Sequence, residues 1–227
     1  MAILLYIDTA GEKAMVGLSN DAQLLALEEN TQSNTHASFV QVSIEKILNT
    51  AAIKIQAIDA VLVTMGPGSY TGLRVGLASA KGIAYALNKP LIGISTLALL
   101  AHQAVKSQIC IDHAIDMQIF SMIDAKRMEV FGALYNTNLE VIIPEQAIIL
   151  DEIYIENILT KGPLVCIGNG VTKTKTLVKH SNLFFIDENY TIDNFIQLAL
   201  LKLNNKQFEN IAYSSPSYLK DFYQKPS

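Results

Sequence analysis

The chain has 227 residues, half of them apolar, and a formal net charge of −4. That length and apolar content exclude disorder and give one long domain or two small ones, each with a proper core. No basic surplus exists to neutralise phosphates, which excludes tight, unaided binding to RNA. Residues 3–7 read as a buried strand ending at Asp8-Thr9. Residues 14–18 and 23–28 read as two more strands, with turns at Gly11 and Asn20-Asp21, so the chain opens on an antiparallel meander. Thr35 is placed to cap a helix running to about residue 50. The β-branched run 60–64 predicts a buried strand that enters a Gly-Pro-Gly turn at 66–68. A helix over 70–87 follows, stopped at Asn88-Lys89-Pro90, then a short strand over 91–94 and a helix from Ser95 to about residue 106.

A second, more degenerate round is predicted beyond residue 117. Residues 118–123 and 129–135 form a strand pair around Asp124-Ala125-Lys126-Arg127, and 141–143 is a third strand. Asp151 caps a helix to about 160, and 163–167 is a strand. Gly168-Asn169-Gly170 then opens a helix to about His180, followed by a strand over 183–186 and a helix over 193–203. The expected division is a first lobe over 1–106, a smaller second lobe over 107–210, and an aromatic tail over 211–227 packed back on the body. The class is α/β, with the order βββαβαβα repeated.

The two cysteines, Cys110 and Cys166, make no metal or redox pattern, which fits a reducing cytoplasm. The start of the chain reads as a strand rather than a signal peptide, and no apolar run is long enough to span a membrane. No two of His36, His102, His113 and His180 have the helical spacing of a metal pair. His113, beside Asp112 and Asp116, reads as part of a solvated loop.

The stretch from Gly66 to Gly76 is the most informative. Its glycines permit close backbone approach, and Ser69 and Thr71 can cap the following helix, whose free N–H groups suit an anion. A well-capped strand-to-helix turn is the plainer reading, because the Gly-Lys-Ser/Thr ending of a P-loop is missing. Asp8-Thr9 stands at a strand end, where a carboxylate holds a metal, a water or simply a turn. Gly168-Asn169-Gly170 is a second junction of the same kind. The helices over 35–50 and 70–87 carry more apolar surface than one sheet face covers: Phe39 and Val42 leave the main stripe of the first, and the second is small or apolar nearly all round. They are either internal core helices or partly covered by another chain.

Asp8-Thr9, the 66–76 block, Ile123 to Val130 and Pro216-Ser217-Tyr218-Leu219 together resemble the TsaB family, in order and over nearly the whole chain. The resemblance implies a two-lobed actin-like ATPase (ribonuclease H-like) fold with a degenerate second lobe. It implies a non-catalytic subunit for threonylcarbamoylation of tRNA, with TsaD and TsaE as partners, a homodimer in isolation, and tRNA reached only through the complex. The related TsaD subunit carries a metal-binding His-x-x-x-His after the strand that follows its Gly-Pro-Gly helix. Here that place reads Ser95-Thr96-Leu97-Ala98-Leu99-Leu100, without histidine. The hairpin at Asp124-Ala125-Lys126-Arg127 has no glycine to wrap a phosphate, and its long side chains are expected to fill the space.

The expected nucleotide-cleft remnant is Asp8, Thr9, Gly66, Gly68, Ser69, Thr71, Gly72, Asp124, Gly168 and Gly170. No cofactor is required by the chain itself, with ATP or ADP confined to a complex interface. The expected partner surface is Phe39, Val42, Lys46, Arg74, Leu77 and Lys81. Two other readings remain: a residual ATPase, acyltransferase or glycoprotease-like peptidase using Asp8 and Asp124, and a metabolite kinase using Asp124.

Overall fold

The computed structural model describes residues 1–31, 36–112 and 117–220, the side chains of residues 36 and 37 excepted. Strands β1 (Ile3–Asp8), β2 (Ala14–Asn20) and β3 (Gln23–Asn30) form the expected meander, followed by α1 (His36–Thr50), β4 (Ala60–Gly66), α2 (Tyr70–Leu87), β5 (Leu91–Ser95) and α3 (Thr96–Val105). A short α4 (Gln108–Asp112) leads to the second round: β6 (Gln118–Asp124), β7 (Glu129–Asn136), β8 (Val141–Ile149), α5 (Glu152–Leu159), β9 (Leu164–Ile167), α6 (Val171–Leu177), β10 (Leu183–Ile186) and α7 (Ile192–Asn204). The two sheets have the same order, β3-β2-β1-β4-β5 and β8-β7-β6-β9-β10. In each, the first strand runs antiparallel to the second and parallel to the fourth.

The inner strands β1, β4, β6 and β9 read as nearly continuous apolar runs because both of their faces are covered. In the first sheet, Leu5, Ile7, Val61 and Val63 pack with Val40, Ile44 and Ile47 of α1 and Leu77 and Ala80 of α2. Tyr6 meets Phe195 of α7 edge-on, ring centroids 5.4 Å apart. In the second sheet, Phe120, Val130 and Cys166 pack with Ile155 and Ile158 of α5. Ile119, Val165 and Ile167 of the same sheet pack with Leu97, Leu100 and Ala104 of α3. Each fully buried Val, Leu, Ile or Phe among them contributes roughly 1.5–3 kcal/mol.

The chain divides into Met1–Thr96 with Thr191–Ser217, and Leu97–Tyr190 with residues 218–220. This differs from a boundary at 106 and a second lobe running to 210. The last helix of each round has changed sides: α3 covers the second sheet, and α7 covers the first. The apolar stripe of α3, Leu97, Leu100 and Ala104, decides its side. For α7, Phe195 on Tyr6 and the Lys202 ammonium on the Gly93 carbonyl, 2.6 Å away, do the same. Chain order assigns each helix to the strands before it, and nothing in sequence periodicity reports an exchange.

One element, α4, is additional and two bounds differ. β8 runs on to Ile149 through Pro144, which an edge strand tolerates because no ladder partner needs its missing N–H. α6 stops at Leu177, where Val178 turns extended (φ −132°, ψ 137°). The segment after α7 returns to the first unit: Glu209 N–H donates to Leu91 O (2.8 Å) and Ser217 N–H to Met65 O (2.7 Å). Thr35, His113, Asp116 and residues 221–227 of the tail lie outside the described residues, as does the side chain of His36. No described helix is long and apolar enough to cross a membrane.

Candidate functional site

At the first junction the glycines are spent on packing. A Cβ added at Gly68 would lie 2.3 Å from Ala10 O, at Gly72 2.1 Å from Thr9 O, and at Gly76 2.3 Å from Thr9 Oγ1. Gly68 in the turn and Gly72 and Gly76 in α2, spaced four residues apart, therefore let the turn and the start of the helix lie directly against Thr9 and Ala10. Gly66 takes φ +109°, a left-handed conformation that favours glycine. The helix donors are partly engaged as well: Ser69 N–H donates to Ala10 O (2.7 Å), and Gly72 N–H to Ser69 Oγ (3.3 Å). Ser69 is thus the N-cap, and Thr71 is exposed. Thr9 Oγ1 donates to Gly72 O at 2.6 Å. The Asp8 carboxylate is buried, and one oxygen accepts from Thr64 Oγ1 (2.8 Å) and Ala10 N–H (3.0 Å). Thr64 was not singled out by sequence. Its only signal is a hydroxyl at the end of an otherwise apolar strand.

The second junction repeats the device. Gly168 takes φ +107°, and a Cβ there would lie 2.1 Å from Met122 O, while one on Gly170 would lie 2.9 Å from Val130 Cγ1. Asp124, at the end of β6, is 40% exposed at its side chain and pairs with Lys173 of α6 at 2.8 Å. The Lys173 hydrogen bond holds the Asp124 carboxyl below the usual carboxylate range, burial opposes it, and the Lys126 N–H adds to it. Lys173 also donates to Glu129 O (2.7 Å), and Asn169 Oδ1 accepts from Asp124 N–H (2.7 Å). The expectation that the long side chains of Lys126 and Arg127 fill this hairpin is corrected: both are exposed, and Lys173 is the side chain that enters. Lys173 lies 49 residues from Asp124, and no sequence spacing announces the pair.

The helix pair needs a correction of a different kind. α2 is not buried all round. It buries Gly72, Leu73, Gly76, Leu77, Ala80 and Ala84, and it exposes Arg74, Ala78, Gly82, Tyr85 and Ala86. Leu77 therefore faces the core, not a partner. Phe39 is half-buried against the same core, whereas Val42 is 64% exposed. Gln41 of α1 donates to Ser79 of α2 at 3.1 Å, which sets the two exposed faces side by side. Arg74 lies over the Tyr70 ring (4.1 Å), Lys46 pairs with Glu28 (2.9 Å), and Lys81 donates to Ser214 O (3.0 Å), fastening the returning segment to α2. An exposed stripe of small residues beside Val42 allows another helix to approach closely.

Among the described residues no group of three or more His, Cys, Asp or Glu side chains could hold a metal ion. Leu97, Leu99 and Leu100 are buried, so the start of α3 is core. Burial and the nearby Lys106 lower His102 to about 4. Burial pushes the Cys110 and Cys166 thiols up, which makes both inert as nucleophiles.

With that geometry in hand, comparison with known proteins gives the class. YeaZ from Pseudomonas aeruginosa superposes with TM-score 0.79 at 21% identity, covering 96% of this chain and 100% of that one. The inorganic polyphosphate/ATP-glucomannokinase of Arthrobacter sp. strain KM superposes with TM-score 0.52 at 10% identity, covering 91% and 100%. Both likenesses concern fold alone, and the fold is the two-lobed actin-like ATPase fold. Residues 24–225 match the family model described as TsaD: tRNA N6-adenosine threonylcarbamoyltransferase. The tRNA threonylcarbamoyladenosine biosynthesis protein TsaB of Escherichia coli K12 is 28% identical over 225 residues, 96% of this chain and 94% of that protein. TsaB of Bacillus subtilis 168 is 27% identical over 180 residues, 78% of this chain and 75% of that protein. The chain belongs to the family that this model describes, and both of these relatives carry the name TsaB.

Proposed function

We propose that this chain takes part in making threonylcarbamoyladenosine in tRNA, as a non-catalytic subunit that pairs with and activates a TsaD transferase, with TsaE as a third component. The relatives' shared name supports the pathway. One observation carries the finer reading: the surfaces an actin-like ATPase would offer to phosphates are occupied by the chain's own atoms. Gly68 and Gly72 lie on Ala10 and Thr9, and Asp124 is neutralised by Lys173. The chain needs no cofactor of its own, and any ATP or ADP would sit at a complex interface. tRNA binding is a property of the assembled cytoplasmic complex.

The partner surface in this reading is the exposed face of α1 and α2, centred on Val42, Ala78, Gly82 and Ala86, with Lys46 and Arg74 at its rim. A desolvated centre with a polar rim is what a stable interface requires. The same face on two copies gives a two-fold homodimer, and a paralogue of like fold can replace one copy.

The test is reconstitution. Purified chain is mixed with TsaD and TsaE, and tRNA modification and ATP turnover are followed with and without it. The chain alone should turn over nothing, and modification should depend on its addition. Val42→Asp with Ala78→Asp should abolish co-purification with TsaD and self-association, with circular dichroism unchanged, because both residues are exposed in the single chain. Phe39→Asp is a poorer probe, since Phe39 also supports the core. Turnover by the isolated chain that disappears in Asp8→Ala or Asp124→Ala would favour the residual-enzyme reading instead.

A further inference from the structure

The β6–β7 hairpin holds two charges that its own structure does not use. Lys126 and Arg127 occupy consecutive left-handed conformations, φ 67° and 50°. Side chains are disfavoured there, and turns of this kind normally recruit glycine or asparagine. A residue kept in such a conformation asks for a reason outside local folding. Neither cation gives an intramolecular one: both side chains are exposed, and among the described residues neither forms an ion pair.

The surrounding groups sharpen the point. The hairpin's two carboxylates are each paired by a lysine from elsewhere in the chain, Asp124 by Lys173 and Glu129 by Lys220. Asp124 also accepts the Lys126 N–H at 2.6 Å, and Asn169 accepts the Asp124 N–H. The turn is thus held from behind, and its acids are cancelled before they can neutralise its tip. Four cations against two carboxylates leave the tip with a surplus of two positive charges, on a chain whose total is −4.

We propose that the tip of the β6–β7 hairpin contacts the phosphate backbone of tRNA through Lys126 and Arg127 within the assembled complex. The proposal rests on the subunit reading given above. A polyanion suits the tip better than an acidic protein surface does. Two adjacent cations on a narrow turn neutralise neighbouring phosphates without burying area, whereas a protein contact needs a broad desolvated centre. A two-phosphate contact also agrees with the absence of a general basic surplus: it adjusts the placing of tRNA on the complex rather than capturing it.

The experiment measures binding of labelled tRNA to the reconstituted complex over a series of salt concentrations. Lys126→Asn with Arg127→Gly removes both charges and gives the turn residues that suit it, so the hairpin stays folded. The variant should weaken tRNA binding at low salt by roughly tenfold and make the slope of log K against log salt shallower by about 1.5. KM for tRNA should rise, with kcat unchanged. Lys126→Arg with Arg127→Lys should behave as wild type. Unchanged affinity and slope in the Asn-Gly variant would overturn the proposal. Loss of co-purification with the partner subunit in that variant would also overturn it, by assigning the tip to an acidic protein surface. Failure of the wild-type chain to stimulate modification would count against the subunit reading instead, and the salt slopes would still decide the hairpin.

Discussion

The two halves of the chain are built from one plan and finished differently. Both have a five-stranded sheet of the same order, and both have a strand–glycine–helix junction closed against the end of the sheet's central strand. In the first half the junction launches α2, 18 residues long and capped by Ser69; in the second it launches α6, 7 residues long with no side-chain cap. The carboxylate at the central strand's end is buried and held by neutral donors in the first half (Asp8), but exposed and held by a lysine in the second (Asp124). The exposed apolar face of α1 and α2 thus lies on one half and the charged hairpin on the other. Glycines retained at both junctions serve packing, so a phosphate-loop look survives without phosphate chemistry being required of it.

The sharpest way to break the comparison is to refill a junction. Gly68→Val should destabilise the first unit by about 3 kcal/mol or more, because the added Cβ falls 2.3 Å from a backbone carbonyl that cannot move aside. The cause is crowding, as Gly68 is not among the positive-φ glycines. Gly168→Val in the second unit should cost a comparable amount, with strain at φ +107° added to the contact with Met122 O. Gly82→Ala is the control: nothing lies within 4 Å, so α2 should gain up to about 1 kcal/mol of helix stability. Denaturant melts of the three variants decide this. A stable Gly68→Val variant that had lost a demonstrated nucleotide affinity would return the junction to phosphate binding.

The exchanged helices give a smaller effect that depends on pH. α3 carries His102, lowered by burial and then by Lys106 to about 4, against an ordinary 6.5. The folded chain therefore excludes a proton that the unfolded chain accepts. Stability from this group is complete above about pH 6.5 and is lost as pH falls towards 4. Linkage bounds the loss at about 3 kcal/mol, and the partial exposure of His102 makes about 2 kcal/mol the expectation. His102→Gln should flatten the fall in melting temperature over that window. The corresponding α7 carries Lys202 on Gly93 O, and Lys202→Met should leave the pH profile unchanged in shape.

Much of this was legible beforehand, for identifiable reasons. Nearly every strand and helix announced itself through β-branched runs, glycine turns and caps such as Asp151, whose side chain accepts from Tyr154 N–H as expected. The glycines at both junctions were visible, and so was a structural use for them. What sequence could not supply were relations between distant elements. The exchange of α3 and α7 follows from which sheet face each stripe fits. The Asp124–Lys173 pair needs two segments brought together by β6, β7 and α6. The burial of Leu77 and the half-burial of Phe39 depend on the rotation of each helix over the sheet. A helix that is small or apolar nearly all round, as α2 is, gives no polar stripe from which to read that rotation.

The smallest expected effect concerns the group that finishes the second junction. Lys173→Met keeps the aliphatic stem and removes the ammonium. Asp124 is 40% exposed, so its carboxylate regains water, and the loss should stay within about 1 kcal/mol. Asp124→Ala should cost more than Lys173→Met, because it leaves the 12% exposed Lys173 with the Glu129 carbonyl as its remaining partner at the hairpin. The pH sign follows from the lowered Asp124: its contribution is present above the ordinary carboxylate range and is lost as pH falls through the folded value. Both variants, melted at neutral pH and in acid, should converge with wild type in acid. Equal costs for the two substitutions would mean that the pair behaves as an exposed surface contact. A Lys173→Met cost as large as that of Gly68→Val would mean the opposite, that the second junction depends on its charge and the first on its close packing.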